Sequence, residues 1–142
     1  MTGQSGENER RFRMKKRLAV TLAAVALSVV MSVPAYAGTW KYVNDQWKYQ
    51  RGANKFAYKE WIEDNGNWYY MDNNGVMTTG WQQIDGLWYY LNPVSDGTRG
   101  ARKTSYQMID GKWYFFDTAT GAMWFNRQAP NGKWIDANGV VW

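Results

Sequence analysis

Beyond residue 60, apolar and polar positions alternate in short runs that are broken by turn dipeptides. Trp81-Gln82-Gln83-Ile84 alternates, Asp85-Gly86 interrupts, and Leu87-Trp88-Tyr89-Tyr90-Leu91 resumes as an aromatic strand. This pattern predicts a β-hairpin, because Asp-Gly and Asn-Gly accept the positive φ that a type I′ turn requires at both central positions. The unit recurs as Asn65-Gly66-Asn67-Trp68-Tyr69-Tyr70, as Asp110-Gly111-Lys112-Trp113-Tyr114-Phe115 and, shortened, as Asn131-Gly132-Lys133-Trp134. Trp at 68, 88, 113 and 134 and Gly at 66, 86, 111 and 132 keep common steps of 20, 25 and 21.

A lone hairpin is marginal in water, and a period of about twenty belongs to repeat architectures whose units bury apolar faces against their neighbours. The expected fold is therefore all-β, a solenoid of stacked β-hairpin repeats. Five units are expected: Trp40 to Tyr58, Trp61 to Gly80, Trp81 to Thr104, Tyr106 to about Ala129, and a truncated one from Pro130 to Trp142. The connections carry a central Gly and a Met two residues later, as in Gly75-Val76-Met77 and Gly121-Ala122-Met123. The stretched connection from Asn92 to Thr104 offers Gly97-Thr98-Arg99 instead. Asn44-Asp45 in the first turn and Ile135-Asp136 in place of the last aromatic pair mark atypical end units, as capping predicts.

Residues 1–37 have a different composition. Arg10, Arg11, Arg13, Lys15, Lys16 and Arg17 lead into the apolar run 18–31, and Ala35-Tyr36-Ala37 precedes Gly38. A basic head, an apolar run and a small-residue site make a secretory signal peptide. A membrane anchor would need roughly 20 apolar residues, whereas Ser32 and Pro34 interrupt this run. Met14-Lys15-Lys16-Arg17 makes a tidier start than Met1, so residues 1–13 are expected to be an upstream extension. The repeat domain is then 38–142.

Cleavage removes most of the charge. The chain carries 17 Lys and Arg against 12 Asp and Glu, but 38–142 holds 11 against 10, a net charge of +1. Nucleic-acid binding, which needs a basic stripe, is not expected. The remaining basic cluster, Arg99, Arg102 and Lys103, is expected to solvate its loop, with contact to an anionic wall polymer as the alternative. Cysteine is absent, so export brings no disulfide framework. All ten Trp and nine of ten Tyr lie beyond residue 37, so aromatic area must supply the core. The absence of His excludes His-based acid–base catalysis and His metal ligands.

Gly80-Trp81, Gly86-Leu87-Trp88-Tyr89-Tyr90-Leu91 and Gly75-Val76-Met77-Thr78-Thr79-Gly80-Trp81 resemble the choline-binding or cell-wall-binding repeat. The glucan-binding repeats of extracellular glucosyltransferases and the tails of large clostridial toxins are related. The likeness runs from Trp40 to Trp142 and is strongest over 61–91. It implies a left-handed hairpin solenoid with choline held in aromatic cages, two walls from one hairpin and the third from the next. A quaternary ammonium has no strong hydrogen bond to donate, so ring faces are what attract it.

Carried over by position, the resemblance implies a cage of Trp61, Trp68 and Tyr90 with Met77 as floor. A second would use Trp81 and Trp88 with Phe115 or Phe116, and a third Trp40 and Trp47 with Tyr70. Tyr106 stands where Trp would, and its third wall would fall on Asp136, so no cage is expected at Tyr106 and Trp113. The alternative for every ring is simple core packing.

Asp64, Asp72, Asp85, Asp110 and Asp117 sit beside turn residues, where Asp bonds its own backbone; a glycosidase pair flanking one bond is the weaker reading. No enzyme activity, cofactor or metal is expected. Two functions remain. One is a secreted, non-catalytic module that binds choline of (lipo)teichoic acid, or extracellular glycan, at the surface of a Gram-positive-type bacterium, meeting the membrane only through its transient signal peptide. The other is a structural or adhesive solenoid binding a protein partner, its aromatics serving only as core. Open cages favour the first and filled cages the second. Processing is testable directly: the intact mass of protein from culture supernatant should correspond to a chain beginning at Gly38, and a cell-retained product still carrying 18–37 would contradict this.

Overall fold

A computed structural model describes residues 38–142, so the predicted leader lies outside the described residues. Within them every regular element is a β-strand. β1 (Thr39–Val43) pairs with β2 (Gln46–Gly52), β4 (Glu60–Asp64) with β5 (Asn67–Met71), β6 (Gly80–Ile84) with β7 (Leu87–Leu91), and β8 (Ser105–Ile109) with β9 (Lys112–Phe116). All four pairs are antiparallel hairpins. A short β3 (Lys55–Phe56) adds to β2 past an irregularity between Gln50 and Gly52, and the fifth hairpin joins β10 (Arg127–Gln128) to β11 (Trp134–Ile135).

The turns follow the predicted chemistry in the first four hairpins. Asn65 and Gly66 have φ of 50° and 78°, Asp85 and Gly86 50° and 81°, and Asp110 and Gly111 49° and 77°. Asn44 and Asp45 reach 51° and 61° without a glycine, as Asn and Asp tolerate this region best among residues with a side chain. Asn131-Gly132 differs from expectation. Only Gly132 has positive φ, and Gln128 pairs with Trp134 across a five-residue loop closed by the Gly132 amide on the Ala129 carbonyl. The fifth unit accordingly begins at Arg127, ahead of the expected Pro130.

Register decides which side chains share a face. In β4–β5, Trp61 lies opposite Tyr70 and Glu63 opposite Trp68, while Ile62 lies opposite Tyr69. Trp61, Trp68 and Tyr70 thus occupy one face and Ile62 and Tyr69 the other, because strand side chains alternate. The second face is the buried one: Ile62, Tyr69 and Met71 join Tyr49, Ala57 and Ala101 in a core that Trp40 and Met77 pack against. Ile109, Phe116 and Met123 form the next cluster, flanked by Trp81 and Tyr114, and Phe115, Ala129 and Ile135 the last.

The connections are stacked as regularly as the hairpins. The amides of Met77, Arg102, Met123 and Val141 donate to the carbonyls of Trp47, Trp68, Trp88 and Trp113 at 2.8–2.9 Å. Each connection is thereby tied to the hairpin before the one it follows. Its glycine also lies on its predecessor: a Cβ on Gly121, where φ is +74°, would stand 2.4 Å from Arg102 Cδ. That close approach and that φ both demand glycine.

Carboxylates shape the connections, as their turn positions suggested. Asp72 Oδ1 accepts the amides of Asn74 and Val76, Asp117 Oδ1 those of Ala119 and Thr120, and Asp136 Oδ1 those of Asn138 and Val140. In the stretched connection the equivalent residue is Asn92, which is 2% exposed. Its Nδ2 donates to Asp96 Oδ1 and Thr98 Oγ1, and its Oδ1 accepts the Val94 amide.

These bonds set an acid limit. The Thr98 hydroxyl and amide, with Asn92, hold Asp96 at about 2 against a usual 3.8; the Thr120 and Ala119 amides lower Asp117, and the Trp142 indole and Val140 amide lower Asp136. A carboxylate with a depressed folded pKa contributes stability above its unfolded pKa and loses it as pH falls through the folded one. Thermal unfolding midpoints should therefore hold from about pH 7 to about pH 5 and drop between about pH 4 and about pH 2. Asp96→Asn together with Asp117→Asn should flatten that drop, and an unchanged acid profile would remove these groups from the account.

Candidate functional site

Successive hairpins stack facing the same way, so the forward face of one meets the rear face of the next. Trp40 and Trp47 project forward from β1 and β2, their rings 6.5 Å apart at 85°. Tyr69, on the rear face of β5, closes on Trp40 at 4.9 Å. Met77 and, at the rim, Ser95, Gly97 and Arg99 complete an open cavity of about 360 Å³. Asp64 Oδ2 accepts the Trp40 indole N–H at 3.1 Å and fixes its ring.

The geometry returns two hairpins later. Trp81 and Trp88 lie 6.3 Å apart at 83°, and Tyr114 closes on Trp81 at 4.9 Å. Met123 provides the floor, with Gln83, Phe125 and Asn138 among the remaining walls of a cavity of about 500 Å³. Both volumes fall in the range of small-ligand sites, about 300–1,000 Å³. The outer Trp rings stay accessible, Trp47 at 39% and Trp88 at 43%. Burial raises the phenols of Tyr69 and Tyr114, with Asp64 adding at the first and Asp110 at the second, so both rings remain neutral.

The hollow between them repeats the Trp–Tyr contact but holds a side chain between its two indoles. Tyr89 closes on Trp61 at 5.0 Å, and the Arg102 guanidinium lies 5.6 Å from the ring centroids of both Trp61 and Trp68. Arg102 does not solvate its loop. It stands where Met77 and Met123 stand in the other two cages, which makes Gly100-Ala101-Arg102, and not Gly97-Thr98-Arg99, the counterpart of Gly-x-Met. At the fourth position Tyr106, Trp113, Asn131, Lys133 and Val141 line a smaller hollow of about 230 Å³. Ile135 occupies the place of the third ring there.

Trp40 lies by Trp47 and Trp81 by Trp88, while Arg102 stands between Trp61 and Trp68. The ring that the next hairpin brings to each cage is Tyr69, Tyr89 or Tyr114, where Tyr70, Tyr90 and Phe115 or Phe116 were expected. Tyr70 and Tyr90 pack 5.2 Å from Trp61 and Trp81 of their own hairpins. Phe115 lies in the core against Tyr106 and Trp124, and Phe116 is fully buried, 5.7 Å from Trp81. The reason is parity. A ring that closes a neighbour's cage must point backward, opposite to its own hairpin's Trp pair, which excludes Tyr70, Tyr90 and Phe115 and selects Tyr69, Tyr89 and Tyr114. Phe116 also points backward, against Trp81, but is fully buried and does not line the cavity. Met77 likewise belongs under Trp40 and Trp47, not under Trp61 and Trp68. The sequence signal for Arg102 was Gly100, six residues before Tyr106 as Gly75 is six before Trp81.

Residues 58–99 and 78–127 match the family model described as choline-binding repeat. Over these residues the chain belongs to the choline-binding repeat family. It is similar to choline binding protein F from Streptococcus pneumoniae, determined in the presence of a peptidoglycan analogue, at 34% identity over 75% of this chain and 33% of that one, with a TM-score of 0.64. The pneumococcal cell wall endolysin from phage Cp-1, complexed with choline, is 34% identical over 63% of this chain and 25% of its own, with a TM-score of 0.53. Alternansucrase in complex with isomaltononaose shares the fold at 23% identity over 74% of this chain and 10% of its own, with a TM-score of 0.50. The choline-binding repeat chain thus spans about a third or less of these neighbours. No curated protein matches it in sequence.

Proposed function

We propose that this chain is a secreted, non-catalytic wall-binding solenoid whose cages at Trp40, Trp47 and Tyr69 and at Trp81, Trp88 and Tyr114 take choline groups of a surface polymer. The observation that carries the reading is the repetition of one open geometry, two indoles near a right angle, a phenol at 4.9 Å and a Met floor. Walls on three sides suit a compact cation that is attracted to ring faces from every direction. A sugar is better served by one flat platform ringed by fixed hydrogen-bond partners.

Each ring offers roughly 0.5–2 kcal/mol to a cation, so three give a few kcal/mol and a Kd on the order of 1 mM. One site is too weak to hold a wall. Two sites engaging one polymer raise avidity by roughly 10² to 10⁴ when the spacing permits both. The chain would then be retained at the surface of a Gram-positive-type bacterium through teichoic-acid choline.

Arg99 refines the ligand. At the rim of the first cage it opposes a free cation but attracts the phosphate that accompanies choline in teichoic acid. Arg99→Ala should lower the preference for phosphocholine over choline at the first cage by about threefold to tenfold at low salt, and added salt should erase the difference. Calorimetric titration with both ligands measures it.

Trp88→Ala should weaken choline at its cage by tenfold or more, roughly 1.4 kcal/mol, and should cut retention on a choline resin far more than affinity at the intact cage. Trp134→Ala, in the terminal hairpin, should lower stability without that defect. If folded Trp88→Ala protein is retained as well as the parent on the resin, the choline reading fails. Retention of the parent on insoluble glucan but not on choline resin would favour glycan, and retention on neither would favour the adhesive solenoid.

A further inference from the structure

We propose that Arg102 is a built-in ligand of the second cage, a tethered cation that rises from the floor position held by Met77 and Met123 in the other two and reaches between the indoles, so that this chain carries two ligand sites separated by a closed one. The choice of choline as the external ligand rests on the function proposed above.

Arg102 Cζ stands 5.6 Å from both indole centroids, within the distance at which a guanidinium is held by ring faces. Its Nη2 donates to the Ala119 carbonyl at 3.0 Å, while its Nε is buried and unpartnered. An unpaired buried donor costs free energy. The rings, rather than a hydrogen-bond network, are therefore what compensate for holding the guanidinium here. Gly121 lies over the stem, where a Cβ would come within 2.4–2.9 Å of Cδ, Nε and Cγ, and the Arg102 amide is fixed on the Trp68 carbonyl at 2.8 Å. The side chain is clamped at its base and its head is directed between Trp61 and Trp68.

A second cation entering this cage would meet a fixed positive charge and would have to displace it. A Met at the same place, as at 77 and 123, leaves its cage open on the other side of the floor. Whether a cage binds or merely packs is thus set by one residue, the third of Gly-x-Met or Gly-x-Arg. The closed cage also spaces the open sites two hairpins apart, which selects polymers whose choline groups can reach both.

The indole N–H resonances of the mature protein report each cage separately. Choline should shift Trp40, Trp47, Trp81 and Trp88 at millimolar concentration and leave Trp61 and Trp68 unmoved to at least tenfold higher. In Arg102→Met, Trp61 and Trp68 should join the others, and calorimetric stoichiometry should rise from two to three. Arg102→Lys keeps a tethered cation and should keep both indoles silent. The inference is overturned if Trp61 and Trp68 respond with the others in the unmodified protein, or if folded Arg102→Met gains no response.

Should choline move no indole at all, the choline reading fails, and ethylguanidinium decides the inference alone. It should shift Trp61 and Trp68 in Arg102→Ala and not in the unmodified protein. Absence of that rescue in folded Arg102→Ala would overturn it.

Discussion

The contact on which the rest of this structure depends is an indole edge against a phenol between consecutive hairpins. Trp40 meets Tyr69, Trp61 meets Tyr89 and Trp81 meets Tyr114, all at 4.9–5.0 Å and 63–72°. Edge-on aromatic pairs at this distance add roughly 0.5–1.5 kcal/mol beyond the area they bury. With no cysteine in the chain, such pairs and the backbone bonds from each connection to an earlier Trp carbonyl are what join one marginal hairpin to the next. In the first and third pairs the second Trp stands nearly at a right angle to the first, at 85° and 83°. A three-sided hollow is therefore a geometric consequence of stacking, and core and cage are two sides of the same rings.

That consequence explains why aromatic composition alone cannot separate a binding module from a packed scaffold. The three cages share the Trp–Tyr contact and differ decisively in their floors: Met77, Arg102 and Met123 descend from equivalent backbone positions, each tied to a Trp carbonyl. Met offers a polarizable, flexible, uncharged surface. Arg offers a charge that the ring faces themselves attract. Open and filled hollows, alternatives for each set of rings on the sequence alone, occur side by side in one chain.

The hairpins were legible because their determinants are local. Dipeptides such as Asp85-Gly86 declare positive φ at both central positions, and alternation declares the strands, so turns and registers in the first four units follow from a few adjacent residues. Asn131-Gly132 carries the same letters but sits where the flanking strands are only two residues long, and there a wider loop forms instead. The third walls were not legible in the same way. Tyr69 and Tyr70 are adjacent, both aromatic, and differ only in the direction they face, which depends on how a whole hairpin stacks on another. Tyr70 and Tyr90 would close these cages only if hairpins stacked face to face; the chain stacks them face to back.

The long connection 92–104 shows how one insertion can alter two sites. Asn92 replaces the aspartate of the other connections and, buried, gathers Val94, Asp96 and Thr98 around its amide. That knot holds Ser95, Gly97 and Arg99 against the rim of the first cage, and beyond it Gly100 restores the normal register of the connections. Arg102 then emerges at the floor of the second cage. Two arginines three residues apart thus reach adjacent cages differently, Arg99 lining the first from the connection and Arg102 standing between the indoles of the second. Read along the sequence they were a basic cluster on a loop. Only the stacking of connections on hairpins separates them, because Arg99 lines the first cavity while Arg102, past the turn at Gly100, is tied to the Trp68 carbonyl of the next hairpin.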